Sequence, residues 1–502
     1  MEFLNCILLC LCLAGLSVQA FRLFGKRSKQ IPRARLPPGP NPLPIIGNLL
    51  ELGDKPHLSL NKLSQRYGPI ISLQLGQVTT VVVSSASLAK EILRTHDHVF
   101  CNRTVPDAVT SYNHCEYSMV WLPVSDRWRN LRKICTSQLF SPKVLDANQA
   151  NRRVKVQELI ADICESEKKG VAVNIGTAAF KTTLNLMSRT IFSVDLDNPS
   201  SETARELKET TWGIMEEIGK PNVADYFHFL RKLDPQGIRR RLTNHFHKTI
   251  VLIDGMINQR LESRKVQDYI STNDMLDTLI NMSEEKNEEM DKIEVENLFL
   301  DLISAGTDTT SATMEWAMAE LLHSPEKLVK AQAELDQVIG KGKPIEESDI
   351  ARLPYLQAVI KETFRMHPTV PLLLPRKAGA EAEIGGYIIP KGAQVLINAW
   401  AVGRDSSVWD NPNLFMPERF LGSEIDVLGR NFELIPFGGG RRICPGMPLA
   451  MRMLPLMLGS VLNCFEWKLE DGVVPETMNM EDKFGLTLQM AHSLRAVAIN
   501  FC

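Results

Sequence analysis

One cysteine near the carboxyl end constrains this chain more than any other residue. Phe437-Gly438-Gly439-Gly440-Arg441-Arg442-Ile443-Cys444-Pro445-Gly446 holds it in a glycine-rich loop, just ahead of a helical-looking run from Leu449. Glycines let backbone approach a flat macrocycle and aim N–H groups at sulfur, and a helix N-terminus favours the ionised thiol. The pattern reads as a socket for a haem iron held by thiolate. Such a ligand pushes electron density onto iron and favours O–O cleavage, which points to oxygen activation rather than electron transfer alone. The competing reading is a glycine-rich turn around a buried free cysteine packed as a small hydrophobe.

A second cluster sits inside the longest helical pattern, residues 293–323, which Ser324-Pro325 ends. Ala305-Gly306-Thr307-Asp308-Thr309-Thr310 has poor helix propensity where propensity matters most. Helical spacing puts Leu302, Ala305 and Thr309 on one face, and Gly306 removes a side chain where oxygen or a substrate would approach. O–O cleavage needs protons, and a positioned hydroxyl linked to water is suited to supplying them. Alternatively the threonines bond back to carbonyls four residues earlier and bend the helix.

Phe437, Gly440, Arg442, Cys444 and Gly446 match the Phe-x-x-Gly-x-Arg-x-Cys-x-Gly signature of the cytochrome P450 superfamily, which the chain therefore resembles. The resemblance implies haem b with Cys444 as thiolate ligand and Phe437 beside it. It makes Asp308 and Thr309 the pair that steers protons to oxygen. Glu362-Thr363-Phe364-Arg365 and Pro417-Glu418-Arg419-Phe420 match two further motifs. By spacing alone an i, i+3 ion pair is a solvated surface contact; the resemblance instead makes Glu362, Arg365 and Arg419 a buried network supporting the cysteine loop. It also sets Trp128, Arg132, Arg376 and Arg442 around the haem propionates, where the arginine fork suits a carboxylate. Arg129 and Lys133 are expected at the surface, steering an acidic reductase. His367, beside a proline, is expected to be structural. Two electrons would come from NADPH through a separate flavoprotein, NADPH-cytochrome P450 reductase, because no flavin domain or dinucleotide fingerprint follows the haem domain.

The resemblance extends over nearly the whole chain to the plant microsomal branch and its geraniol-hydroxylase-type group, carried by residues 36–48, 220–222, 234–238, 316–320 and 483–488. Gly439 departs from it, since relatives often carry serine or alanine there. By family position the pocket is lined from residues 105–120, 223–229, 302–309, 370–374 and 486–488, with Leu302, Ala305, Val370 and Leu486 among its walls. An apolar lining with a few hydroxyls suits a small hydrocarbon with one polar handle, such as the monoterpene alcohols geraniol and nerol. Apolar contacts discriminate weakly, so sesquiterpenoids, diterpenoids and phenols are the alternatives. Two rivals are a haem-thiolate isomerase or dehydratase needing no external electrons, and a non-catalytic haem-binding membrane protein. The intact Asp308-Thr309 pair counts against both.

With 502 residues, 44% hydrophobic and 23% charged, the chain can bury a large core. Strand patterns at 68–76 and 78–84 precede mostly helical ones at 127–140, 154–166, 175–192, 204–218, 237–264 and 276–282. A polar connector at 283–291, a helix before Gly340, another over 354–367 and short strands at 372–376, 382–389 and 394–397 complete the reading. The fold class is mainly α with a small β lobe, one catalytic domain over 49–502. A net charge of −2 leaves no basic footprint for nucleic acid. Ten cysteines without a C-x-x-C pair make zinc and disulfide scaffolds unexpected.

Residues 3–21 are 19 uncharged residues, about 28 Å of helix, followed by Arg22, Lys26, Arg27, Lys29, Arg33 and Arg35. The positive-inside rule then keeps the remainder cytosolic. Residues 1–21 are expected to be a single-pass anchor in the endoplasmic reticulum membrane, and 22–48, basic and proline-rich, a hinge. The rival is a cleaved signal peptide, since Val18-Gln19-Ala20 resembles a cleavage site; the flank lacks a lysine or arginine. Asn102-Arg103-Thr104 and Asn281-Met282-Ser283 are glycosylation sequons only if the chain enters the lumen.

Overall fold

The computed structural model describes residues 36–195, 202–266, 269–272, 274–286 and 292–501. The apolar run at 3–21 and the basic stretch up to Arg35 lie outside them. The architecture is mainly helical with small sheets, organised around the helix Lys292–His323. Apolar and small side chains fall on every face of that helix, and nearly every residue from Val295 to Leu322 is buried. Pro325 then opens the helix Pro325–Val338 at a position where its missing N–H costs nothing. Ile175–Phe192, Ile238–Arg264, Pro354–Met366 and Met447–Cys464 pack against the central helix. Met447–Cys464 is also the one described helix apolar and long enough to cross a membrane; two-thirds of it is buried inside the protein, as a core helix is.

Strands Ile70–Leu75 and Val78–Val83 form an antiparallel hairpin in register Ile70↔Val83 to Leu75↔Val78. Val78–Val83 runs parallel to Gln394–Ile397, which pairs with Arg376–Lys377, which pairs with Asn102–Arg103. Directly opposed residues share a sheet face, so the register Arg103↔Arg376 points two guanidiniums the same way. Residues 36–48 lie along the first strand. Ser72 donates from N–H to Pro38 O at 2.9 Å and from its hydroxyl to Pro37 O at 2.6 Å, and Asn48 N–H donates to Gln74 O at 2.6 Å.

Several segments differ from the sequence pattern. The strand expected at 382–389, for instance, is an antiparallel hairpin of Ala382–Ile384 and Tyr387–Ile389, and the helix Pro56–Tyr67 was not expected. The strand expected at 372–376 is reduced to Arg376–Lys377, because Pro371 and Pro375 supply no N–H and Leu373 takes φ +49°. The connector expected at 283–291 begins as helix, since Met275–Lys286 runs into it; residues 287–291 lie outside the described set. A second sheet, Val173–Asn174, Arg495–Asn500 and Phe465–Leu469, was not expected. Phe465-Glu466-Trp467-Lys468-Leu469 does carry the alternation that signals it.

Candidate active site

The cysteine loop closes on itself before it reaches its helix. Gly438 N–H donates to Ile435 O at 3.0 Å, Ile443 N–H to Gly440 O at 3.1 Å and Cys444 N–H to Phe437 O at 3.0 Å. Gly440 has φ +68°, and a Cβ there would lie 2.1 Å from the Leu93 carbonyl oxygen, so conformation and space both demand glycine. Gly439 is extended at φ −167°, and a Cβ would meet Leu93 and Phe432 at an ordinary 3.5 Å. The departure noted at this position therefore has no steric consequence. Cys444 leads into Met447–Cys464. Burial pushes its thiol up, while the Gly446 N–H, the Arg132 charge and the Met447 N–H act in the thiolate's favour.

Cys444 lines an interior cavity of about 270 Å³, far beyond the ~10–15 Å³ that one water occupies on this measure. Phe437, Leu449, Leu302, Ala305, Gly306, Thr309, Val370, Leu373, Leu374, Met119 and Val120 share its wall. Of the pocket positions anticipated from sequence, Leu302, Ala305 and Val370 are on the wall. Leu486 is not; its backbone packs where a Cβ on Gly219 would fall, 2.4 Å away. None of residues 223–229 reaches the wall either.

Four guanidiniums, from Arg103, Arg132, Arg376 and Arg442, line the same cavity. Arg442 donates to Cys101 O at 2.8 Å, to Met119 O at 3.1 Å and to Leu122 O, and lies over the Trp128 ring at 4.6 Å. Trp128 Nε1–H donates to Met119 O at 3.1 Å. Arg376 donates to Phe100 O and Gly439 O, both at 3.1 Å, and lies 3.5 Å from Asp97. Burial pushes Arg376 down to about 10 and Arg442 to about 10, the latter also repelled by Arg376. Arg103 is held well below its ordinary value too, by burial and then by the Arg376 and Arg442 charges. Arg103 Nε and Arg376 Nε are buried without a partner. A mostly apolar cavity beside a thiol, rimmed by guanidiniums short of counter-charge, fits a haem with two propionates. In the sequence Arg103 stands out only as the middle residue of Asn102-Arg103-Thr104. Its contribution comes from strand register with Arg376, which no local motif signals.

Thr309 lines the cavity while its hydroxyl donates to Ala305 O at 2.7 Å, so the back-bonded arrangement and the cavity position coexist. Gly306 also lines the cavity, but the space its Cβ would take faces Met187 at 3.1 Å. Close packing on Ile175–Phe192 is thus one physical reason for glycine there. Asp308 is not on the cavity wall. Its Oδ1 accepts from Gln489 Nε2 at 2.7 Å. Burial raises its pKa, opposed by the Thr487 hydroxyl and Gln489.

Glu362 and Arg365 are wholly buried and joined by two hydrogen bonds of 2.7 Å. Glu362 also accepts from Arg419 Nε at 3.1 Å and Met416 N–H at 2.8 Å. Arg365 donates further to Gly403 O, Pro412 O and Leu414 O. Next to Arg365, Phe364 meets Phe437 edge-on with ring centroids 5.1 Å apart, coupling this network to the cysteine loop. His367 lies apart, stacked on Trp316 at 3.9 Å and bonded to Glu320 at 2.6 Å. Arg129 is exposed and bonded to Asp126.

A helical domain whose thiol-bearing loop faces such a cavity belongs to the haem-thiolate class. The chain is a member of the cytochrome P450 family, whose model matches residues 37–492. It is 55% identical over 497 residues to a geraniol 8-hydroxylase of Catharanthus roseus, covering 99% of both chains. Identity is also 55% over 480 residues to a geraniol 8-hydroxylase of Swertia mussotii, covering 96% of each. A drimenol monooxygenase of Persicaria hydropiper is 50% identical over 491 residues, 98% of this chain and 96% of that one. The protein is accordingly a P450 monooxygenase with haem, a cysteine thiolate ligand and electrons from NADPH by way of a reductase. It acts with O2 on a small hydrophobic substrate.

Proposed function

We propose that this enzyme hydroxylates a terpenoid of plant specialised metabolism, most concretely a monoterpene alcohol of the geraniol or nerol type. The observation carrying this reading is the apolar wall of Leu302, Ala305, Val370, Leu373 and Leu374 around a few hydroxyls, in a chain 55% identical to geraniol 8-hydroxylases over 96–99% of its length. When bound, the haem activates O2 for insertion of one oxygen atom into a C–H bond. Cys444 holds its iron, with the Gly446 and Met447 N–H groups stabilising the thiolate. Arg103, Arg132, Arg376 and Arg442 bind the propionates, Trp128 supports Arg442, and Phe437 packs beside the loop. Thr309 holds a proton at its hydroxyl on the cavity wall; Asp308 supplies protons to that hydroxyl through water after leaving Gln489. Glu362, Arg365 and Arg419 keep the loop's support rigid.

Residues 1–21 anchor the protein in the endoplasmic reticulum membrane, 22–48 connect, and 49–502 form the cytosolic catalytic domain, served by NADPH-cytochrome P450 reductase. Exposed Leu43 and Ile45 lie in the connector and exposed Leu50 just after it, and exposed Val223, Phe229 and Leu233 lie in an adjoining stretch. Gly76 N–H bonds Ile46 O at 3.1 Å and Gln77 N–H bonds Tyr226 O at 2.8 Å, joining the two stretches through one turn. Such a clustered apolar face beside an anchor favours contact with a bilayer.

The test is turnover of a terpenoid panel, geraniol and nerol included, by membranes containing the protein and a plant reductase, with and without NADPH. An oxygenated product that needs NADPH is the expected result. Conversion without NADPH would overturn the monooxygenase reading, and turnover of phenols alone would overturn the terpenoid one.

A further inference from the structure

Asp301 is the only carboxylate among the described residues lining the cavity. It lies eight residues before Thr309 on the same helix, about 12 Å along the axis, with Ala305 between them on one face. The carboxylate is buried, and its partners come from the segment that passes over the helix. The Ser118 hydroxyl donates its hydrogen between Asp301 Oδ1 and Oδ2, 2.8 Å from each, while its oxygen accepts from Val120 N–H at 3.1 Å. His114 Nε2 lies 3.2 Å from Asp301 Oδ1, and His114 Nδ1 lies 2.6 Å from Asn297 Oδ1. Asn297 is itself fixed by donation to Ile293 O at 2.8 Å, one turn before Asp301.

Two donors therefore occupy a group with about four acceptor positions, and Asp301 is a residue of the wall of an otherwise mostly apolar pocket. Burying a carboxylate carries a large desolvation cost unless partners compensate. A staple between helix and loop alone could use an amide. We propose that Asp301 is the specificity-determining anchor for a hydroxyl group on the substrate, and that His114 and Ser118 are positioning residues that hold its carboxylate toward the cavity. The inference rests on reading this cavity as the substrate pocket, but not on the substrate being a terpenoid. It assigns the enzyme to alcohols and phenols, against hydrocarbons, ethers and esters of the same skeleton.

The test measures affinity in the full-length haem-loaded enzyme, from the ligand-induced change in haem absorption. The probes are matched pairs of alcohol and methyl ether: geraniol and geranyl methyl ether, a sesquiterpenoid pair, and a phenol with its anisole. The wild type is expected to bind at least one alcohol about ten- to a hundred-fold more tightly than its ether. Asp301→Asn, which keeps an acceptor but loses the charge, is expected to narrow that ratio while leaving ether affinity within about two-fold. Asp301→Leu should abolish the preference. Should the leucine variant not retain haem, the wild-type ratio and Asp301→Asn still decide. Equal wild-type affinity within every pair overturns the proposal. So does an Asp301→Asn variant that weakens alcohol and ether alike, which marks a purely structural staple. Failure of terpenoid turnover with preserved selectivity for phenol over anisole overturns the terpenoid reading and supports the anchor.

Discussion

Gln489 donates its side-chain amide to Asp308 at 2.7 Å, holding the carboxylate toward residues 487–489 and off the wall that Thr309 occupies. Two adjacent residues of one helix thus face different surroundings. The expected outcomes differ accordingly. Thr309→Ala should leave NADPH consumption largely intact while product formed per NADPH falls about tenfold, the remainder appearing as peroxide. Asp308→Asn should slow product formation about a hundredfold, the scale of a lost proton-transfer group. Parallel assays of NADPH, peroxide and product check both, and unchanged coupling in Thr309→Ala would defeat the role assigned to its hydroxyl.

Glu362, itself fully buried, accepts from Arg365, Arg419 and the Met416 N–H. Removing the carboxylate strands two buried guanidiniums, which costs about 3–5 kcal/mol. Glu362→Ala should therefore be strongly destabilised and should lose the thiolate signature of the reduced carbon-monoxide spectrum. Reading that spectrum across a thermal ramp measures the effect; a variant as stable as the wild type would remove the network from the support of the loop.

The ligand loop was legible because its parts are contiguous: residues 437–446 contain the turn, the sulfur and the approach to the helix. The long helix was equally plain from its length and its proline stop. What escaped depends on residues distant in sequence. Arg103 reaches the cavity only because its strand pairs with Arg376. The direction Asp308 faces is set by Gln489, 181 positions away. Arg365 and Arg419 share one carboxylate across a loop, and by spacing alone Glu362 and Arg365 looked like a surface pair. Leu486 is apolar yet off the wall, with its backbone N packed beside Gly219, a placement that apolarity does not reveal.

Gly439 and Gly440 are neighbours with opposite requirements. At Gly439 an L residue fits both backbone and space, so Gly439→Ala should stabilise the loop by about 0.4–1 kcal/mol through the unfolded chain. At Gly440 the left-handed backbone and the Leu93 oxygen 2.1 Å from any Cβ forbid it. Gly440→Ala should lower haem retention as well as stability. Thermal melts and haem content of the two variants, made side by side, check the contrast.

Four guanidiniums line one cavity, those of Arg376 and Arg442 buried and those of Arg103 and Arg132 half-buried, and their mutual repulsion is only partly offset by Asp97 beside Arg376. Removing the haem should therefore lower the melting temperature sharply, and Arg103→Leu should have effects of opposite sign in the two states. In the haem-loaded enzyme it removes a propionate partner, and haem transfer to apomyoglobin should quicken about tenfold. In the haem-free chain it relieves repulsion from Arg376 and Arg442, and the melting temperature should rise. A fall in both states would show that Arg103 acts chiefly through its bond to Leu374 O.

Asp225 accepts the Asp107 N–H at 2.6 Å, joining the segment before the cavity to the stretch preceding Ile238–Arg264. Burial, with the Asp107 charge adding to it, pushes Asp225 up to about 6 from an ordinary 3.8. Below the ordinary value the group is protonated in both states and carries no penalty. Between the two values the native state holds the extra proton, so stability falls as pH rises; above the upper value the loss is complete and constant. Asp225→Asn keeps an acceptor for the N–H and removes the titration. It should melt about 1–2 °C above the wild type near pH 8, with the advantage shrinking as pH falls through about 6. Melting curves across that range decide it; an advantage that grows toward acid would mean that the ionised carboxylate is the form the fold prefers.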